Sequence, residues 1–262
     1  MEKRTTSGSE VVSLNANSWH LQIPAGSWGT YRLAQLDDYR GLHRRYFPWH
    51  APLTLTLQAR ASASNLPGTW GFGLWNDPFS LTLGFGGGAR HFPVLPNAAW
   101  FFFASPKNYL SLRDDLPANG ALAGVFRSAH PVGNLLAALG APALLLRPLR
   151  KLARRIGRRF IAEDAFQIDL DVMAWHTYRI NWQLNQVTFT IDQQQVHQTA
   201  VSPRAPLGLV LWIDNQYAAF LPDGSLNYGT EAYANPAWIE VSDIQLQQQT
   251  EESPPISTAR VK

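Results

Sequence analysis

Alternation with a period of two runs through most of this chain, and it leaves little to fold into except β-strands. Leu53-Thr54-Leu55-Thr56-Leu57 sends three leucines to one side and two threonines to the other, the pattern of a half-buried strand. The turn-forming Asn65-Leu66-Pro67-Gly68 separates it from a second strand over residues 70–75. Residues 176–183 and 186–193 flank Leu184-Asn185 as a hairpin, 207–213 form a continuous apolar strand, and 238–246 a final alternating one. Short strands of this number and regularity predict an all-β fold, an antiparallel two-sheet jelly-roll sandwich occupying residues 1–247 as one domain. Residues 248–262, with Glu251-Glu252-Ser253-Pro254-Pro255, read as a disordered tail.

One segment departs from the pattern. Leu145, Leu149, Leu152, Ile156 and Phe160 recur at helical spacing on one stripe, so residues 131–165 are expected to form a basic, amphipathic helical insertion, with Pro142 and Pro148 starting or kinking two short helices. Seven basic residues and no acidic one fall within 147–159: Arg147, Arg150, Lys151, Arg154, Arg155, Arg158 and Arg159. The whole chain carries 22 Lys and Arg against 19 Asp and Glu. Outside this segment the balance is therefore 15 against 19, and the excess positive charge belongs to one place. All seven cations are candidates for contact with an anionic membrane surface, or with an acidic protein partner; the bland arrangement would pack the leucine stripe on the sandwich and leave the cations in water. Basic residues spread over a face among aromatics, as nucleic acid requires, are not seen. The apolar run 135–146 is broken by Gly140 and Pro142 and is too short to span a bilayer.

Residue types exclude several chemistries. With no cysteine among 262 residues, a disulfide framework, a thiolate nucleophile and a cysteine-based zinc site are ruled out. The seven histidines show no metal-ligand spacing, and no Gly-x-Ser-x-Gly elbow is present. Gly86-Gly87-Gly88 lacks the Lys-Ser/Thr of a phosphate loop; residues 79–103, rich in Gly and aromatics, are expected to form a loop over a cleft. No cofactor and no metal are expected. The first residues are basic without an apolar stretch behind them, which reads as a cytoplasmic protein, peripheral at the membrane if helix 145–160 docks there.

Three stretches stand out: residues 53–60 leading to Leu66-Pro67-Gly68-Thr69-Trp70-Gly71-Phe72-Gly73-Leu74-Trp75; Trp175-His176-Thr177-Tyr178-Arg179-Ile180-Asn181-Trp182 with Val187-Thr188-Phe189-Thr190-Ile191-Asp192; and residues 206–214 with the closing strand 238–246. Together they resemble the concanavalin A-like lectin and glucanase superfamily, glycoside hydrolase family 16 above all. In that family's order they bracket roughly residues 29–247. The resemblance implies the sandwich and a sugar cleft. It also implies a catalytic strand of the form Glu-x-Asp-x-Glu or Glu-x-Asp-x-x-Glu, and no such triplet exists in this chain. Where it should fall, the sequence reads Ala98-Ala99-Trp100-Phe101-Phe102-Phe103-Ala104-Ser105. Rings cannot supply the carboxylate pair that a retaining glycosidase holds about 5–5.5 Å apart. The expectation is a non-catalytic, glucanase-like protein binding a carbohydrate or an amphipathic ligand such as a glycolipid or terpenoid.

Trp70, Trp75, Trp100 and Trp212 are the candidate stacking platforms, against the plainer alternative that they fill the core. Asn76, Asp77, Asp214, Asn215 and Tyr217 would fix polar groups if the two strand ends that carry them meet at one rim. Two other classes stay open: a hydrolase with acid–base work moved to Asp77 or Asp214, and a lipid-handling protein docked by the basic helix. Asp169 and Asp171, two apart in an expected strand, read as a solvated edge. Asp114-Asp115 reads as a surface turn, and His176 as structural.

Overall fold

The computed structural model describes residues 1–6, 8–78, 94–128 and 147–248. Two seven-stranded antiparallel sheets form the expected jelly-roll sandwich. The first sheet runs, edge to edge, β1 (Glu2–Thr5), β4 (Leu33–Asp37), β13 (Gly208–Asp214), β6 (Thr69–Trp75), β7 (Ala98–Ala104), β8 (Gly120–Ser128) and β9 (Ile161–Ile168). The second runs β12 (Gln194–Thr199), β11 (Val187–Ile191), β10 (His176–Trp182), β5 (Leu53–Ala61), β16 (Ala237–Gln248), β3 (Ser18–Ile23) and β2 (Glu10–Asn15). A separate hairpin pairs β14 (Gln216–Phe220) with β15 (Leu226–Thr230).

The second sheet behaves as antiparallel sheets usually do, with one face packed and one wet. Strand β5 alternates between buried and partly exposed residues over its whole length, and the hairpin β10–β11 closes with Trp182 opposite Val187. Leu53, Leu55 and Leu57 meet Tyr178, Ile180 and Trp182 across the strands, and with Phe72, Phe101 and Leu211 from the first sheet they make the inter-sheet core.

The first sheet differs, because its central strands are buried on both faces: all seven residues of β13 and six of seven in β7 are buried. One face enters the inter-sheet core. The other carries a second apolar cluster built on Trp100, Phe102, Trp212, Leu33, Leu122 and Val210.

Several expectations change in detail. The helix α1 spans Arg147–Phe160, and the chain turns directly into β9 at Ile161 because residues 161–168 complete an eight-residue ladder with β8. The expected insertion therefore ends five residues early; its part over 131–146 lies outside the described residues. Trp100 to Phe103 belong to the central strand β7, not to a loop; the preceding residues 79–93 lie outside the described set, as does the tail from 249 onward. Asp169 and Asp171 follow the end of β9, where Asp171 caps a turn by accepting from the Met173 amide at 3.0 Å. His176 is structural as expected, joined to Asp192 and to the Asp171 carbonyl.

Candidate functional site

Period-two geometry sorts the four tryptophans. On β6 and β7, Trp70, Phe72, Phe101 and Phe103 point into the inter-sheet core, while Trp75, Trp100 and Phe102 point the other way. Trp70 is not part of the outer cluster: its ring lies flat on Phe103, centroids 3.6 Å apart, between the sheets. For that residue the core-filling alternative is the correct one. Trp75, Trp100 and Trp212 do come together. Their ring centroids are 6.1, 6.2 and 5.7 Å apart pairwise, and Phe102 adds contacts of 5.5 Å to Trp100 and 6.0 Å to Trp212.

Small residues make room for these rings. Across the ladder Trp212 neighbours Gly71, which neighbours Phe102; one step along, Gly73 neighbours Trp100, which neighbours Gly124. The Trp212 ring thus leans over Gly71 and the Trp100 ring over Gly124. A Cβ on Gly71 would come within 2.9 Å of Trp212 Cη2, one on Gly73 within 2.6 Å of the Trp100 Cβ, and one on Gly124 within 3.4 Å of Trp100 Nε1. Leu116 and Ala118 flank the cluster from the β7–β8 connection, and Phe47 flanks it from the β4–β5 connection. Trp100, Phe102 and Trp212 are only 7–8 % exposed. Trp75, at the end of β6, is the one ring of the four that is partly open.

Polar groups stand at the two ends of this aromatic floor, and they do not meet. Strands β6 and β13 are antiparallel, so Trp75 lies beside Gly208 and Thr69 beside Asp214. Asn76-Asp77 and Asp214-Asn215 therefore sit at opposite rims, six strand residues or about 20 Å apart. The expected single polar site divides in two. At the first rim, the Trp75 indole N–H donates to the Tyr39 hydroxyl at 2.8 Å, and Gln35 Nε2 donates to the same oxygen at 3.3 Å and to Asp37 Oδ2 at 2.8 Å. Burial pushes the Asp37 carboxyl up, against hydrogen bonds from Gln35 and Arg40; burial, then the nearby Asp77 and Asp37, hold the Tyr39 phenol well above its usual range. Asn76 is structural, donating to the Leu95 carbonyl and accepting from the Asn97 amide. Asp77 turns the chain at φ 48°, and Arg44 donates to its carbonyl.

At the second rim, Trp212 Nε1 donates to the Thr69 hydroxyl at 3.0 Å, and that hydroxyl donates to Asp214 Oδ1 at 3.0 Å. Asp214 also accepts from the Thr69 and Gln216 amides and from the Tyr31 hydroxyl. Burial dominates over these donors and pushes its carboxyl up to about 7. Asn215 is a staple, joining the Arg32 amide to the Thr30 and Glu231 carbonyls. Tyr217 packs over Gly229 with the Lys107 ammonium 5.5 Å from its ring, and makes no ring contact with the tryptophan cluster among the described residues.

These positions bear on acid–base chemistry. Asp77 and Asp214 lie at different rims, and Asp37, level with Val210, is four residues or about 13 Å from Asp214. As backbone spacings, both exceed the carboxyl separations of glycosidases, about 5–5.5 or 6.5–9.5 Å. The polar residues that sequence reasoning passed over are Tyr31, Gln35, Asp37 and Tyr39. Their signal was present: Leu33-Ala34-Gln35-Leu36-Asp37 places Gln35 and Asp37 on one face of β4.

The basic helix stands differently from either arrangement considered for it. Arg154 is 4 % exposed and is removed from any membrane contact. Its guanidinium donates to the carbonyls of Ser111, Phe220 and Arg113 at 2.9, 2.6 and 2.9 Å and to Asp114 Oδ1 at 3.1 Å, beside the rings of Tyr109 and Phe220. Arg158 is likewise engaged, with the second Asp114 oxygen, so Asp114 is a helix anchor and not a plain surface turn. Arg150 is partly buried near Gly224. Arg147 begins the helix; its side chain lies outside the described set. Within the described part of the apolar stripe, Leu149, Leu152 and Ile156 are 38, 47 and 38 % exposed, and Phe160 is partly buried. Among the described residues no helix is long and apolar enough to cross a membrane.

No family model matches this sequence, and no curated protein matches it. Similar solved structures include glucanases, a family 16 protein and a carrageenase. A Bacillus licheniformis β-glucanase is 10 % identical with a TM-score of 0.45, covering 94 % of this chain and 92 % of that one. A Bacteroides ovatus family 16 protein, solved with the product G4G4G3G, is 8 % identical with a TM-score of 0.46, covering 91 % and 85 %. The κ-carrageenase of Pseudoalteromonas carrageenovora, solved with an oligotetrasaccharide of κ-carrageenan, is 10 % identical with a TM-score of 0.46, covering 87 % and 79 %. The assignment of the sandwich rests on the strand order itself.

Proposed function

We propose that this chain is a binding protein whose ligand is amphipathic, a molecule with an apolar body and a hydroxylated or otherwise polar end, held on the outer aromatic face of the first sheet. One observation carries the reading. A sheet face turned away from the core is ordinarily solvated and polar, whereas this one gathers Trp75, Trp100, Phe102 and Trp212 over a floor of glycines. Clustered rings of this kind suit an apolar body, and their scarcity of unpaired polar partners favours it over a plain polysaccharide. Trp75 is the entry, being the partly open ring. Tyr39 beside it is buried and accepts from Trp75 and Gln35, which fixes the ring at the entry. Asp214, with its oxygens already engaged, supports Trp212 through Thr69 and is given no acid–base role.

Titration of intrinsic tryptophan fluorescence with alkyl glycosides, glycolipids and oligosaccharides tests the proposal. A saturable change with the amphipathic compounds is expected. Trp75→Ala should weaken it roughly thirtyfold, the loss of one ring's burial at about 2 kcal/mol, in a protein whose circular dichroism is unchanged. A response to plain oligosaccharides alone would move the function to a lectin; no response to any of them would remove the proposal.

A further inference from the structure

The helix α1 buries an arginine and exposes its leucines, which inverts the usual order of a surface helix. Two parallel rows run along its outer side. Leu149, Leu152 and Ile156 form an apolar row, all more than a third exposed. Lys151, Arg155 and Arg159, spaced four apart and so aligned along one edge, form a cationic row beside it, each exposed and without an ion pair among the described residues. The opposite side is fixed to the body of the protein by Arg154, with its three carbonyl partners, and by Asp114, which holds both Arg154 and Arg158. Removing that arginine from water is costly unless its donors are satisfied, and here they are. The helix is consequently held in one orientation, with its apolar row turned outward among the described residues.

We infer that α1 is a docking surface for an anionic lipid bilayer. The chemistry of the two rows selects this occupant. An apolar row that enters the acyl boundary, with cations on long stems at its edge, is the arrangement that lies in the plane of a membrane surface. The cations are complementary to anionic headgroups, and no acidic side chain falls within residues 147–160 to oppose them. The surface is distinct from the aromatic face and does not depend on what that face binds.

Co-sedimentation of the full chain with vesicles tests the inference, comparing phosphatidylcholine alone with a mixture containing phosphatidylglycerol. Binding is expected to the anionic vesicles and not to the neutral ones, and to fall with added salt. Two variants separate the rows: Lys151→Glu with Arg155→Glu and Arg159→Glu, and Leu149→Ser with Leu152→Ser and Ile156→Ser. All six side chains are exposed, so unchanged thermal melting should accompany both. The charge variant should lose binding by at least two orders of magnitude, roughly five- to tenfold per cation, and the apolar variant should lose it comparably. Absence of binding to anionic vesicles would overturn the inference, as would binding unaltered in either variant. Self-association abolished by the apolar variant, with no vesicle binding, would also overturn it and assign the row to contact between copies of the chain.

Discussion

Asp214 shows at the scale of one residue how burial and hydrogen bonding compete. Four donors favour its charged form, yet burial outweighs them and lifts its carboxyl from 3.8 to about 7. A carboxyl raised on folding binds its proton more tightly in the native state, so this group's contribution to stability is full below about pH 4 and is lost as pH rises through 7. Asp37, Asp38 and Glu163 are raised in the same direction by burial, so the contribution of Asp214 must be read by difference. Asn in its place can accept from Thr69 and Gln216 through oxygen and donate to the Tyr31 oxygen. Asp214→Asn should therefore gain on the wild type as pH rises from about 4 to about 7, by up to about 4 kcal/mol, with urea midpoints across that range as the measurement. A constant difference between the two proteins would show that Asp214 does not titrate there. Nothing in the run Trp212-Ile213-Asp214-Asn215 announces this behaviour, because the burial is made by segments distant in sequence, among them Tyr31 ahead of β4 and Thr69 on β6.

At the scale of the element, the helical period of residues 147–160 was legible and the buried side was not. Leucines at spacings of three and four predict a packed stripe when only the helix is considered. The deciding partners are the carbonyls of Ser111, Arg113 and Phe220, all more than 40 residues away in sequence, and a guanidinium that satisfies three of them outweighs a stripe of modest apolar residues. Replacing Arg154 by Met keeps the bulk and removes the donors. It should leave those carbonyls unpaired at about 1 kcal/mol each, and amide exchange across 147–160 should quicken while that of β5, β10 and β13 holds. Uniform quickening throughout the protein would mean that the helix is integral to the sandwich and not attached by this pin.

For the whole molecule, strands could be read from alternation, and β5, the β10–β11 hairpin and β13 stand close to where the pattern puts them. Alternation failed where both faces of a strand are apolar. In Trp70-Gly71-Phe72-Gly73-Leu74-Trp75 the rings at 70 and 75 differ in parity, so they must face opposite ways, but only the second sheet decides which faces inward. Strand order is similarly non-local: the antiparallel pairing of β6 with β13 sends Asp77 and Asp214 to opposite rims, and no local pattern encodes that. The cluster of Trp75, Trp100 and Trp212 survives both tests, and it is the centre of the functional account. Its most direct test is the set of indole N–H resonances from the ten tryptophans, followed by nuclear magnetic resonance as an alkyl glycoside is added. The account predicts saturable shifts at Trp75, Trp100 and Trp212, while Trp70 and Trp182 between the sheets stay in place. Shifts confined to other tryptophans, or none at saturating ligand, would contradict it.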